Sequence, residues 1–180
     1  MLRIFLIGFM GSGKTTLGRA LARDLQLEFI DMDSYIENRF RQTVSTLFAE
    51  RGEAGFRELE RNMLHEVAEF EDVVIATGGG TPCHFDNMEY MNRCGITVHL
   101  EASVEVLYTR LTISRTQRPL LAGKSGDELR TYIIGMLETR APYYTLARRT
   151  FSANELEDHT QVARSVARFR HEVLGMPARD

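Results

Sequence analysis

Residues 8 to 15 read GFMGSGKT, and this octapeptide constrains the chain more than any other stretch of its 180 residues. It satisfies G-x-x-x-x-G-K-[ST], a spacing that carries chemistry when a buried strand leads into it and a helix leaves it. Both flanks are present. RIFLI ahead of Gly8 is a continuous apolar run, and KTTLGRALARDL places Leu17, Leu21 and Leu25 at helical spacing. In such a turn the glycines let backbone N–H groups face a phosphate and the helix N-terminus adds the positive end of its dipole. Lys14 reaches the β and γ oxygens, and the Thr15 hydroxyl ligates magnesium. We therefore expect ATP with Mg2+ on Gly11, Ser12, Gly13, Lys14, Thr15 and Thr16.

The rest of the chain repeats this strand-then-helix alternation. LEFID reads as a second strand that ends in two carboxylates, Asp31 and Asp33, with SYIENRF as a helix starting near Ser34. Glu53 to Phe70 carries Phe56, Leu59, Met63, Leu64, Val67 and Phe70 on one helical face. DVVIATGGG is a buried-type strand closed by three glycines, GITVHLEA a fourth strand, and SVEVLYTRL a helix with Ser103 as N-cap. Residues 112 to 127, TISRTQRPLLAGKSGD, are polar, basic and broken by Pro119, Gly123 and Gly126, as a lid loop would be. A helix over 127–139, the segment RAPYY, a fifth strand near Thr150 and a helix over 156–173 complete the chain. The pattern predicts one α/β domain over 1–180, with three layers around a five-stranded parallel sheet and ligands at the carboxyl ends of the strands.

Composition narrows the partners. The net charge is −3 with 26% charged residues, which favours a small-molecule ligand over a nucleic-acid or membrane surface. Lys14 and Lys124 are the only lysines among the 22 basic residues, a bias that carries no function alone. Cys83 and Cys94 suit neither a disulfide framework nor a metal site, and the N-terminal apolar run has no small-residue cleavage site, so we expect a cytoplasmic protein.

Several residues stand out beyond the phosphate loop. In isolation an acidic pair after a strand is usually a turn or cap, but beside a phosphate loop one carboxylate suits magnesium and the other an acceptor hydroxyl. Gly78, Gly79 and Gly80 make an entropically costly triplet, explained by a tight turn or by a ligand packed on bare backbone. Arg57 pairs with Glu53 or Glu60 or binds an anion, and Arg140 caps a helix or does the same. Arg118 fits a lid arginine over the transferring phosphate. The five histidines show no metal-ligand spacing.

Together GFMGSGKTT, FIDMD, ERGEAGFRELE, TGGG, QRPLL and RAPYY follow the order and spacing of the shikimate kinases, which the chain resembles from about Leu2 to Tyr144. The resemblance implies a P-loop NTPase fold of the nucleoside-monophosphate-kinase type, with an acceptor region near 33–61 and a lid near 112–127. The implied reaction is phosphorylation of the 3-hydroxyl of shikimate by ATP, on the route to aromatic amino acids, in a monomer. Asp33 would hold the shikimate hydroxyls and act as base, Arg57 and Arg140 would clamp its carboxylate, and Glu60 would orient Arg57. Gly79 and Gly80 would meet the substrate through backbone, with Phe48 and Phe56 packed on its ring. Asp31 and Thr15 would serve magnesium, Arg118 would join Lys14 on the phosphate, and Arg110 would lie against adenine. Two other readings are a kinase of gluconate or a nucleoside monophosphate, and a non-catalytic nucleotide-binding regulator. A regulator should lack one of Lys14, Asp33, Arg57, Arg118 or Arg140, and all are present.

Overall fold

The chain is seen here as a computed structural model that describes residues 1–113 and 126–177. Five parallel strands, β1 (Arg3–Ile7), β2 (Glu28–Asp31), β3 (Val73–Ala76), β4 (Ile96–Glu101) and β5 (Arg149–Ser152), run in the order β2-β3-β1-β4-β5. The helices are α1 (Lys14–Leu25), α2 (Met32–Phe40), α3 (Val44–Val67), α4 (Asn87–Cys94), α5 (Val104–Ile113), α6 (Gly126–Tyr144) and α7 (His159–Glu172).

The continuous apolar run of β1 is explained by burial on both faces. Ile4 and Leu6 join a core with Leu17 and Leu21 of α1 and Phe169 of α7, while Phe5 and Ile7 join one with Leu64 and Val67 of α3 and Met88 and Met91 of α4. Alternate side chains of one strand thus hold a helical layer on each side. Two smaller cores extend the frame: Ile36, Leu47, Phe56 and Leu59 between α2 and α3, and Phe9, Leu107, Leu111 and Ile133 between the phosphate loop, α5 and α6.

Five local expectations need correction. β2 ends at Asp31, whose side chain caps α2 by accepting from Ser34 N, so Asp33 lies in the first turn of α2 and not on the strand. The intervening Met32 is buried in the core, and the helix starts there, two residues early. α3 begins at Val44, capped by Thr43, and two helical pieces meet at Gly52, where φ 69 is open to glycine without strain. α4 was not read from sequence; eight residues are too few for a clear period. α6 runs on through RAPYY, because Pro142 falls in its last turn and removes only one donor. α7 starts at His159, where Asp158 accepts from Gln161 N, three residues after the expected start. Thr112, Ile113, Gly126 and Asp127 are helical, which trims the expected lid at both ends, and the remainder of that segment, with Arg118, lies outside the described residues. Among the described residues no helix is long and apolar enough to cross a membrane.

Candidate active site

β1 ends at the centre of the sheet, so the loop after it opens in the crevice between β3 and β4. Gly8, Gly11 and Gly13 all take positive φ (146, 80 and 95), which curls the loop and starts α1 at Lys14. Lys14 Nζ donates to the carbonyls of Gly8 (2.8 Å) and Phe9 (2.9 Å), arching back over the loop. Thr15 Oγ1 donates to Asp31 Oδ2 at 2.7 Å, which pairs two hard oxygen ligands at the start of α1 and the end of β2.

A cleft of about 330 Å³ covers this loop, lined by Gly11, Gly13, Lys14, Thr15, Thr16 and Arg110 on the nucleotide side and by Asp31, Asp33, Thr77 and Gly79 opposite. Ser12 does not line this cleft. Its side chain is buried and its N–H is bonded to Phe9 O at 3.1 Å, so among the described residues expected at the nucleotide it alone does not line the cleft. Arg110 reaches Gly11 O (3.3 Å) and pairs with Glu157 (2.6 Å). Leu156 and Glu157, which the sequence reading missed, close the cleft from the segment after β5, and Leu156 packs where a side chain on Gly13 would project. Their signal was position: they too follow the carboxyl end of a strand.

The expected acceptor residues converge on the glycine triplet. A Cβ placed on Gly78 would lie 2.8 Å from Glu60 Oε1 and 3.3 Å from Asp33 Oδ1; on Gly79, 3.2 Å from Arg140 Nη1; on Gly80, 2.7 Å from Arg57 Nη2. Three helices, α2, α3 and α6, thus place two cations and two carboxylates around bare backbone. Arg57 Nη1 donates to Glu60 Oε2 (2.8 Å), and Thr81 Oγ1 donates to Glu60 Oε1 (2.6 Å), so a buried carboxylate aims the guanidinium. Thr81 is a third residue the sequence did not disclose. Arg140 is only 8% exposed, lies over the Phe9 ring at 5.5 Å, and its Nη1 is buried with no partner, an arrangement that suits an incoming anion. Phe48 and Phe56 pack together at 5.5 Å, and Arg57 stands over Phe56 at 5.5 Å.

His99 lies beside Tyr144, ring centroids 4.8 Å apart, on the buried side of the same loop. Burial first, and the Lys14 cation second, push its pKa down from 6.5 to about 4. Between those values the folded chain binds fewer protons here than the unfolded chain, so this contribution to stability is complete above pH 6.5 and is lost as pH falls towards 4. Thermal unfolding across that interval should therefore show a steeper fall for the wild type than for His99→Gln; equal slopes would contradict it.

A parallel sheet in the order 2-3-1-4-5, with this loop on its central strand and a carboxylate at the end of the outer one, defines a P-loop kinase. The family model described as shikimate kinase matches residues 10–170, and the chain belongs to the shikimate kinase family. It is 63% identical over 170 residues to the shikimate kinase of Bacteroides thetaiotaomicron, covering 94% of this chain and 97% of that one. The crystal structure of the shikimate kinase from that organism superposes with a TM-score of 0.94 at 62% identity, over 97% of this chain and 99% of the other. A shikimate kinase from Acinetobacter baumannii, solved in complex with shikimate, superposes with a TM-score of 0.84 at 32% identity, over 97% and 94% of the two chains.

Proposed function

We propose that the chain transfers the γ-phosphoryl group of ATP to the 3-hydroxyl of shikimate, giving shikimate 3-phosphate and ADP on the route to chorismate. The observation that carries this is the meeting of Arg57, Arg140, Asp33 and the bare Gly78–Gly80 backbone beside the phosphate loop. A small carboxylated triol needs two fixed cations for its anion, an acceptor for its hydroxyls and little room, and this corner supplies each.

In this reading Arg57 and Arg140 clamp the carboxylate and orient the ring, which Phe48 and Phe56 flank. Gly78, Gly79 and Gly80 let the substrate approach the backbone, and Asp33 takes the proton of the attacking hydroxyl. Lys14 and the loop N–H groups of Gly11, Gly13, Thr15 and Thr16 hold the phosphates, with Arg110 at the base. Thr15 and Asp31 are hard oxygen donors fit to hold Mg2+, which when bound neutralises phosphate charge. Arg118, in the segment between α5 and α6, would close over the transferring group and exclude water. We read the chain as one domain acting as a cytoplasmic monomer, which light scattering on the purified protein tests for mass.

Steady-state ADP release with ATP, Mg2+ and shikimate, against gluconate and nucleoside monophosphates, tests the acceptor. Turnover with shikimate alone is expected, and turnover only with another acceptor would overturn it. A finer test is Gly80→Ala. Gly80 has an ordinary φ of −93, and the three heavy atoms nearest an added methyl all belong to the guanidinium of Arg57. Shikimate KM should rise about tenfold as the guanidinium is displaced, with a fall in Tm as its pairing with Glu60 is disturbed and little change in ATP KM. An unchanged shikimate KM would remove Arg57 from the acceptor site.

A further inference from the structure

Tyr144 is 1% exposed and heads the large side chains shielded from solvent, yet it ends in a polar atom. Its hydroxyl donates to Gly79 O at 2.7 Å. The helix α6 sets Arg140 one turn earlier on the same face, so the tyrosine and the arginine approach the glycine triplet together. A Cβ on Gly79 would lie 3.2 Å from Arg140 Nη1, 3.4 Å from Met10 N and 3.5 Å from Gly8 O. The Gly79 peptide is therefore wedged between the phosphate loop and Arg140, and Tyr144 fastens it by its carbonyl. Three consecutive glycines have the widest conformational freedom of any backbone and do not hold such a position by themselves. Burial pushes the phenol up to about 12, so it keeps its proton and remains a donor across the working pH range.

We propose that Tyr144 is a positioning residue for phosphoryl transfer: by holding Gly79 O it fixes the distance between the acceptor and the phosphate loop. This rests on the reading of the triplet as the acceptor's backbone contact. Tyr144 itself touches no reacting atom. In-line transfer is sensitive to such spacing, since a displacement of about 1 Å can cost on the order of a hundredfold in rate.

Tyr144→Phe removes the hydroxyl while the ring keeps its place on His99 and in the core. The kcat for shikimate should fall about tenfold, because the Gly79 carbonyl loses a buried donor. ATP KM should change less than about twofold, and the slow hydrolysis of ATP without acceptor should be unchanged. A purely structural role would move transfer and hydrolysis together, or neither. In the same variant without substrates, amide exchange at Gly79, Gly80 and Thr81 should accelerate at least about tenfold by NMR. Wild-type kinetics, a parallel loss of hydrolysis, or unchanged exchange would each overturn the proposal. Failure of the wild type to phosphorylate shikimate would instead remove the acceptor reading, and the exchange experiment would still decide whether Tyr144 fastens Gly79.

Discussion

Asp33→Asn is expected to lower the turnover of shikimate by about 10²- to 10⁴-fold while leaving ATP affinity within about twofold. The carboxylate projects from the first turn of α2 towards Gly78, across the cleft from Lys14 and Thr15. It is therefore placed to receive a proton from a hydroxyl that lies over the triplet, and it is not needed to form the phosphate loop. The side chain is exposed, so the variant should fold. Calorimetric titration with ATP separates the roles: a tenfold or larger loss of ATP affinity would make Asp33 part of the nucleotide site and end its assignment as base.

Arg57→Ala is expected to weaken shikimate binding and the fold at once, for different reasons. The lost charge-assisted contact to the carboxylate should raise shikimate KM by about 1.5 to 3 kcal/mol, or roughly 10- to 150-fold. Glu60, 2% exposed, would keep Thr81 but lose its cation, and breaking a buried pair from one side costs about 3 to 5 kcal/mol at the upper end. Tm should fall accordingly. Adding Glu60→Gln to the variant should restore much of the Tm and none of the shikimate affinity, because it removes the stranded charge without rebuilding the clamp. Recovery of both would show that Arg57 serves only to neutralise Glu60, and an unchanged KM in the single variant would return it to the surface of its helix.

What could be read in advance depended on how local the signal is. The phosphate loop is a contiguous motif whose glycines, lysine and threonine are defined by backbone geometry within one turn, so it was legible without the fold. The apolar runs of β1 and β3 were legible because strands buried on both faces lose their alternation. Helix ends were read less well: Asp31 in place of Ser34, Asp158 in place of Leu156, and the continuation of α6 past Pro142 each turn on which neighbour satisfies a backbone group, and that neighbour is chosen by packing. Ser12 illustrates the same limit inside the motif, since only the three-dimensional loop shows that its N–H is spent on Phe9 O.

By itself, then, the sequence determined a phosphate-loop motif over residues 8–15 at the mouth of a parallel α/β sheet, and by resemblance which residues would face the acceptor. The tertiary structure decided how those residues act together. Arg57 and Arg140 are 83 positions apart in the chain and differ in setting: Arg57 donates to buried Glu60, which Thr81 holds in turn, whereas Arg140 stands over the Phe9 ring, and each keeps one buried nitrogen without a hydrogen-bond partner. That difference, the tie from Tyr144 to Gly79 and the closure of the cleft by Leu156 and Glu157 arise between elements remote in sequence. Charge and hydrogen-bond partners across such distances are set by how helices pack on the sheet, and no pattern within a single segment records them.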